Sequence, residues 1–266
     1  MPELPEVETI ARSLRLQLTG QEITSAVVLW PRTLSGLAVE EFVSRISGQR
    51  VVGVSRRAKY LDIQLTGFHL FIHLRMSGEL SLKDPSYRPE KHDRLIIHLL
   101  DHQQLVFNDT RKFGRVWLTA YPQDVLGRLG PEPLEADFTP QLLFSRLVER
   151  HRQVKPLLLD QSFLAGMGNI YTDEALHISK IHPLRISDTI SLVEATRLHQ
   201  AIRTVLLAGI EHNGASIDWV YRGGNFQNHF RVYDREGQPC PACGTPIRRI
   251  TVGQRGTHFC PNCQGE

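Results

Sequence analysis

The sequence contains few cysteines, little net charge and no long apolar run. No stretch reaches the roughly 20 consecutive apolar residues that a membrane-spanning helix requires. The first 239 residues contain no cysteine, which excludes a disulfide framework for most of the chain. A formal net charge of +3 permits a polyanionic partner but does not demand one. With 41% hydrophobic and 22% charged residues, the composition is that of an ordinary globular protein.

The first residues also lack the features of a targeting sequence. They read Met-Pro-Glu-Leu-Pro-Glu, which is acidic and proline-rich rather than basic and apolar. Neither a secretory signal nor a transit peptide has that composition. We therefore expect a cytoplasmic protein, and the length of 266 residues allows two domains.

The cysteines that are present form two Cys-x-x-Cys pairs near the C-terminus, with sixteen residues between the pairs. Four thiolates on two such turns suit one tetrahedral Zn²⁺, and Gly244 gives the first turn an unrestricted backbone. Two disulfides, or spare thiols, are the alternative, and a reducing compartment argues against it. A closed four-thiolate site has no open position for water. We therefore predict one structural zinc bound by Cys240, Cys243, Cys260 and Cys263.

The hydrophobic period changes along the chain from that of strands to that of helices. Up to about residue 120, period-two segments accompany a first helix and a second helix at Val39–Ile46. The segment Gly127–Leu134 contains two glycines and two prolines and is typical of a linker. Helical periodicity then predicts helices at Gln141–Arg150, Val154–Phe163, Ile170–Ser179 and Ser191–Ile210.

These patterns predict an α+β protein. Residues 2–126 are expected to form a β-sandwich with flanking helices, followed by the linker at 127–134. A helical domain is expected at 135–230, with a glycine-centred loop at 215–230, and the zinc finger at 231–266.

Within the finger, Ile247–Val252 and Thr257–Phe259 are predicted to form a β-hairpin with Arg255 at its tip. A guanidinium on a glycine-flanked tip can bind a phosphate through two hydrogen bonds. A solvated turn arginine is an equally good explanation.

Glycines at 166 and 168 separate two predicted helices, the second of which begins near Asn169. A helix start exposes unpaired amide groups, and an asparagine suits the cap, so such an end binds phosphate readily. A plain corner between two helices explains the same pattern, and the spacing alone favours that explanation.

The segment Asp109–Arg115 places basic residues on both sides of Phe113, between two predicted strands. This composition is typical of a loop that inserts an aromatic ring between stacked bases, although an ordinary charged turn has it too. Met76 lies near another strand end, where a core methionine is the default interpretation.

The N-terminus carries a possible nucleophile. Met1 is followed by the small residue Pro2, which favours its removal and leaves a secondary amine. An α-amino group titrates at about 7.7–8.0, so a fraction is unprotonated at neutral pH and can attack an aldehyde-like carbon. Glu3 and Glu6 are candidate acid–base groups. The alternative is an acidic helix start, in which the carboxylates only favour the helix dipole.

Together, the segment Met1–Thr9, the turn Gly166–Tyr171 and the terminal four-cysteine finger resemble bacterial formamidopyrimidine-DNA glycosylases. The resemblance extends from residue 2 to residue 264 and implies the family's activity. That activity is removal of oxidised purines, chiefly 8-oxoguanine and formamidopyrimidines, from duplex DNA, with cleavage of the abasic strand on both sides. The resemblance implies that Pro2, after loss of Met1, attacks the sugar C1′ with Glu3 as acid–base group.

The resemblance also implies roles for residues whose patterns alone leave them open. Lys59 would contact a phosphate and support catalysis. Met76, Arg111 and Phe113 would fill the void left by the flipped nucleotide, with Arg111 pairing with the orphaned cytosine and Phe113 wedging the base step.

Two phosphate contacts and one further lysine complete the implied site. Asn169 and Arg255 would hold phosphates that flank the lesion, and Lys155 matches a family lysine near the site. The loop 215–230 would close over the flipped base, but Arg222 and Asn225 match no motif, so the base preference stays open. The implied partner is damaged double-stranded DNA, bound by a monomer.

Two other functions compete with this one. An endonuclease VIII-type relative shares the fold and the Pro2 chemistry but prefers oxidised pyrimidines; Leu4-Pro5 and the Arg111–Phe113 pattern favour the purine enzyme. A non-catalytic zinc protein that binds DNA or RNA would explain the finger and the basic loops, but not a Pro2-Glu3 terminus.

Overall fold

The computed structural model describes residues 1–216 and 223–265. These residues divide into two compact units. The first unit holds Met1–Gly127 and, from later in the chain, Ser216 and Gly223; the second holds Arg128–Ala215 and residues 224–265. Among the described residues, no helix has the length and apolarity that crossing a membrane requires.

Among its described residues, the first unit has eight strands, three α-helices and a 3-10 helix at Pro31–Thr33. In chain order the strands and α-helices are α1 (Leu4–Leu18), β1 (Ile23–Val28), α2 (Val39–Ile46), β2 (Val51–Arg57), β3 (Tyr60–Leu65), β4 (His69–His73), β5 (Gly78–Lys83), β6 (Asp93–Leu99), β7 (Gln104–Asp109), β8 (Arg115–Thr119) and α3 (Gln123–Leu126). The strands form two antiparallel sheets with the orders β1-β6-β7-β5 and β2-β3-β4-β8. The predicted sandwich with flanking helices is confirmed.

One hydrophobic core joins both sheets to α1 and α2. Helix α1 contributes Val7, Ala11, Leu14 and Leu18, whose spacing of three and four residues places them on one face. Strand β4 is buried on both faces although its sequence alternates: Leu70 and Ile72 on one face and Phe71 on the other are each 0% exposed. The period-two pattern therefore predicted the strand but not its burial.

The second unit is helical, with a small hairpin. Its elements are α4 (Pro140–Val148), α5 (Val154–Leu159), α6 (Asn169–Ser179), α7 (Leu192–Glu211), β9 (Arg248–Val252) and β10 (Arg255–Phe259). Helices α6 and α7 approach so closely that a Cβ at Gly209 would lie 2.5 Å from the Tyr171 ring. Only glycine fits at that contact without a shift of the helices.

The finger belongs to the same compact unit as these helices. Its own core is small and consists of Val232, Cys240, Ile247 and Cys260, with Cys263 partly buried against them. Three of these five residues are predicted zinc ligands. The finger thus depends on its cysteines for packing as well as for metal binding.

Candidate active site and DNA-binding elements

The first turn of α1 holds the N-terminal residues in place. The helix begins at Leu4, and the Glu6 carboxylate accepts a hydrogen bond from the Glu3 amide at 2.8 Å, as part of a capping box. Pro2, Glu3 and Glu6 are all buried. Glu6 therefore fixes the backbone beside the predicted nucleophile.

Lys59 lies on the tight turn between β2 and β3. The turn contains only Ala58 and Lys59, and Ala58 has a positive φ of 53°. Arg56 donates to the Ala58 carbonyl at 3.2 Å and to the Glu8 carboxylate on α1 at 3.1 Å. The Lys59 turn is therefore tied to the helix that begins just after Pro2 and Glu3.

The ion pair between Glu8 and Arg56 is partly buried. Burial alone would raise the pKa of Glu8, but hydrogen bonds and positive charge from Arg12 and Arg56 hold it below its usual value. The carboxylate is thus ionised at neutral pH and keeps Arg56 in position.

His73, at the end of β4, is a buried residue of this region that the sequence did not single out. Its Nδ1 accepts a hydrogen bond from the Arg75 amide at 3.0 Å, and its ring meets Tyr60 edge-on. Burial, with the positive charges of Arg75 and Lys59, lowers the pKa of His73 to about 3. The imidazole is therefore neutral, and the positive charge here comes from Lys59 and Arg75, which suits a phosphate partner.

Met76 and the pair Arg111 and Phe113 lie on two adjacent loops, β4–β5 and β7–β8. Met76 is 39% exposed and Phe113 is 49% exposed. The Arg111 guanidinium lies 5.2 Å from the centre of the Phe113 ring. The Ser77 hydroxyl accepts from the Arg111 amide at 3.1 Å and donates to the Asp109 carboxylate, so the two loops are joined. Large apolar side chains are thus displayed together on a fixed support.

In the second unit, α6 begins at Asn169 with Gly168 as its N-cap, so the prediction that Asn169 is the cap was wrong. Gly168 takes the extended backbone of a cap residue, which frees the asparagine side chain. The Asn169 side-chain amide instead donates to the Gly256 carbonyl in the finger at 3.0 Å. Asn169 therefore joins the helix start to the hairpin.

Lys155 is fully buried and does not present its ammonium group at the surface. Its Nζ lies 2.6 Å from the Asp173 carboxylate and donates to the Thr257 hydroxyl at 2.7 Å. The other Asp173 oxygen accepts from the His258 amide at 2.8 Å. Lys155 and Asp173 thus hold strand β10 against α5 and α6.

We expect Lys155→Met to lower the free energy of unfolding by about 3–5 kcal/mol, because it leaves the Asp173 charge buried without its cation. Urea denaturation followed by circular dichroism measures this loss. The control is Lys91→Met, which removes an exposed lysine of the first unit. Equal stability of the two variants would show that the buried pair contributes nothing net.

The β9–β10 turn consists of Gly253 and Gln254, with φ values of 53° and 62°. Arg255 pairs with Val252 as the first residue of β10, so it follows the turn rather than forming its tip as predicted. Its side chain is exposed. The turn itself packs on α5, where a Cβ at Gly253 would lie 3.2 Å from Pro156.

The four cysteine sulfurs lie within 4.8 Å of one another. Cys240 and Cys263 are 3.9 Å apart and Cys243 and Cys260 are 3.5 Å apart, near the edge of roughly 3.8 Å expected for a tetrahedron with Zn–S bonds of about 2.3 Å. Hydrogen bonds from Thr245 lower the pKa of Cys243 to about 5, whereas burial and the other thiols raise the pKa of Cys263 to about 12. Four thiolates this close need a cation to ionise together, and they form one structural zinc site.

Two further side chains connect the cysteine cluster to the helices. His177 on α6 lies 3.3 Å from the Cys240 sulfur, and burial with nearby Arg231 and Arg235 lowers the pKa of His177 to about 4. The ring is therefore neutral, and the tautomer with its proton on Nε2 is the one that donates to a Cys240 thiolate. Gln264 accepts from the Cys260 amide and donates to the Ile181 carbonyl, each at 2.9 Å. No local sequence pattern marks either residue.

The segment before the finger is anchored by Glu174 on α6. Its buried carboxylate accepts hydrogen bonds of 2.9 Å from the amides of Arg231, Val232 and Tyr233. Burial raises the pKa of Glu174, although the three amides oppose that rise. The chain leaving the predicted lesion loop is therefore fixed at residue 231.

Of that loop, the structure describes residues 215–216 and 223–230. Phe226 to His229 form a short 3-10 helix, and the ring of Phe226 stacks on Tyr171 at 5.2 Å. His229 stacks on His212, which precedes the loop, at 3.9 Å. Arg222 lies outside the described residues, and Asn225 is exposed just before the 3-10 helix.

Three family models match consecutive parts of the chain. The formamidopyrimidine-DNA glycosylase N-terminal domain matches residues 1–116, and the formamidopyrimidine-DNA glycosylase H2TH domain matches residues 129–220. The zinc finger found in FPG and IleRS matches residues 237–265.

Curated relatives and solved structures agree with these matches. The formamidopyrimidine-DNA glycosylases of Chloroflexus aggregans and Pelotomaculum thermopropionicum are 48% and 45% identical, over 99% of this chain and 98% and 99% of theirs. MutM in complex with DNA containing carbocyclic 8-oxo-G has a TM-score of 0.93 at 38% identity, with full coverage of both chains. The Lactococcus lactis enzyme with Fapy-dG-containing DNA has the same TM-score and identity over 99% of this chain and 100% of that one. The chain therefore belongs to the formamidopyrimidine-DNA glycosylase family of DNA-repair enzymes.

Proposed function

We propose that this protein is a bifunctional DNA glycosylase and AP lyase that excises 8-oxoguanine and formamidopyrimidines from duplex DNA. The observation that carries the proposal is the buried Pro2-Glu3 terminus at the start of α1, tied through Glu8 and Arg56 to the Lys59 turn. The similar structures with bound DNA containing 8-oxo-G or Fapy-dG support the purine preference.

The chemistry begins with removal of Met1, because the Pro2 nitrogen is an amide while Met1 is attached. The free secondary amine then attacks C1′ as the bond from C1′ to the base nitrogen breaks, and the proton that the amine loses neutralises the departing base. Glu3 delivers a proton to the ring oxygen as the sugar opens, which leaves a cationic iminium between Pro2 and C1′. Lys59 holds a phosphate beside the reacting sugar.

The iminium makes the C2′ proton acidic. Loss of that proton expels the 3′-phosphate, and a second elimination expels the 5′-phosphate, so the strand is cut on both sides. Hydrolysis of the remaining iminium returns the Pro2 amine. One chain carries every group that these reaction steps need, so we propose a monomer. Because its substrate would be chromosomal DNA, we also propose that the protein is cytoplasmic.

The DNA must open before Pro2 can reach C1′. Extrusion of the damaged nucleotide costs a few kcal/mol of stacking and pairing, which the exposed Met76 and Phe113 side chains recover by filling the void. Arg111 meets the orphaned cytosine, while Asn169 and Arg255 hold the flanking phosphates.

Borohydride trapping on a duplex with 8-oxoguanine opposite cytosine tests the proposal. We expect a covalent adduct, which mass spectrometry places on Pro2, because borohydride reduces the iminium to a stable amine. Faster cleavage of a thymine glycol duplex would favour the endonuclease VIII-type alternative. Binding without any adduct, once loss of Met1 is confirmed, would favour the non-catalytic DNA-binding protein.

A further inference from the structure

We propose that Asp109 is a positioning residue that locks the Met76 loop and the Arg111–Phe113 loop into a single wedge. This inference rests on the proposed function, because it concerns how the void-filling side chains enter DNA. Asp109 is the last residue of β7 and is 0% exposed. It acts through the backbone of the two loops and not on the substrate itself.

Both oxygens of the Asp109 carboxylate are used to hold loop atoms. One accepts from the Arg111 amide at 3.2 Å and from the Ser77 hydroxyl. The other accepts from the Gly114 amide at 2.7 Å. A single buried carboxylate thus ties down the start and the end of the loop that carries Phe113, and through Ser77 it reaches the second loop.

The second loop is fixed at the same point. Gly78 pairs with Asp109 across strands β5 and β7, and the Gly78 amide donates to the Leu74 carbonyl at 2.9 Å. Met76 lies inside this closed turn, next to Ser77. Movement of Ser77 would therefore move Met76 relative to Phe113.

Both loops contain residues in backbone conformations that are unfavourable without supporting contacts. Arg75 and Lys112 have φ values of 55° and 61°, a region that residues with a Cβ seldom occupy. A Cβ at Gly114 would lie 2.4 Å from the Phe107 ring, so that loop end fits only glycine. Such loops need buried hydrogen bonds to select one conformation.

The backbone of Asp109 is held as firmly as its side chain. Buried Arg94 donates from Nε to the Asp109 carbonyl at 2.7 Å. The backbone that carries the carboxylate is therefore fixed in the sheet, and the hydrogen bonds of the carboxylate hold both loops at a fixed position relative to the sheet. We infer that Met76, Arg111 and Phe113 enter the DNA as one preformed wedge, so that no conformational entropy is lost in ordering the two loops during insertion.

Asp109→Asn tests this inference, because it keeps the shape but replaces one acceptor by a donor that faces the Gly114 amide or the Ser77 hydroxyl. The single-turnover rate of 8-oxoguanine excision from duplex DNA is expected to fall about 10- to 100-fold, the effect of one unsatisfied buried group. A 2-aminopurine next to the lesion is expected to report slower wedge insertion. Borohydride trapping on a single-stranded abasic oligonucleotide, which has no stack to open, is expected to stay at the wild-type rate.

The matched control is Asp93→Asn. Asp93 is also a buried carboxylate of this unit, but it accepts from Tyr87, Glu90 and Asn108, outside both loops. It is expected to lower stability without slowing wedge insertion. Ser77→Ala, which removes the hydroxyl between the loops, is expected to slow insertion in the same direction as Asp109→Asn.

The outcomes separate the inference from the function on which it rests. Equal slowing by Asp93→Asn, or wild-type insertion by Asp109→Asn, would overturn the positioning role of Asp109. Equal loss on duplex and single-stranded substrates would also overturn it, since that points to general damage. Failure of the wild-type protein to form any adduct on the abasic strand would instead overturn the proposed lyase function.

Discussion

Replacement of Pro2 by glycine is expected to lower lesion excision and borohydride trapping by on the order of a thousandfold or more, as loss of a covalent nucleophile does in other enzymes. Glycine is small enough for Met1 still to be removed, so the variant keeps a free terminus. The primary amine of glycine forms a neutral imine with C1′, and this imine must be protonated before it can withdraw electrons from the sugar. Proline forms an iminium that is cationic from the start, and its ring fixes the nitrogen in the buried position it occupies before α1.

Single-turnover cleavage of an 8-oxoguanine duplex measures this effect, with DNA affinity measured separately by fluorescence anisotropy. The matched control is Pro5→Ala, which changes the other proline of the same turn without altering the terminal amine. We expect Pro5→Ala to excise at close to the wild-type rate and both variants to bind DNA. A Pro2→Gly variant that excised at the wild-type rate would show that the nucleophile lies elsewhere.

Loss of the zinc is expected to have the second largest effect. Cys260→Ala, or removal of zinc with a chelator, should weaken DNA binding on the order of 100-fold, since hydrogen bonds to charged groups contribute about 1.5–3 kcal/mol each. Without metal the finger loses its own support for Arg255, and the contacts of β10 with Lys155, Asp173 and Asn169 are what remain. Its core is only Val232 and Ile247 beside the cysteines, and a two-stranded hairpin alone is marginally stable.

The measurement pairs zinc content by atomic absorption with DNA affinity by anisotropy. Ala242→Ser is the control, because it lies inside a Cys-x-x-Cys turn and keeps the backbone amide that donates to Cys240. This variant should retain zinc and affinity. Wild-type affinity in a protein shown to be free of zinc would contradict the proposed role of the finger.

The sequence predicted those features that depend on local patterns. The apolar spacing of α1, the helix at Val39–Ile46 and the cysteine spacing each follow from a repeat or motif within a few residues. The sandwich followed from period-two segments. Each of these predictions is confirmed by the structure.

Its errors arise from side-chain and backbone contacts that the patterns do not reveal. Helix α5 ends at Leu159 rather than at the predicted Phe163, because the Asp160 side chain accepts the Ser162 amide and hydroxyl and turns the chain. Gly168 replaced Asn169 as the cap because the asparagine has a partner in the finger. The hairpin turn is two residues shorter than predicted because Gly253 and Gln254, both with positive φ, are enough to reverse the chain.

The residues that support the site could not be predicted from the sequence for a different reason. Asp109, Glu174 and Gln264 each act on chain segments far away in the sequence. A buried carboxylate or amide has no periodic signature, since its partners are chosen by the folded chain. The roles carried over by resemblance for Pro2 and Glu3 remain predictions until the experiments above are done.

The attachments of the finger also imply an order of folding. Lys155 reaches Thr257 across 102 residues, Asp173 reaches His258 across 85, and Gln264 reaches Ile181 across 83. Closing such a long loop costs conformational entropy before the contact contributes to the stability of the fold. Each also needs a helical partner that is complete long before the finger leaves the ribosome. We expect α5 and α6 to form first and the finger to dock last, as the step that completes the second unit.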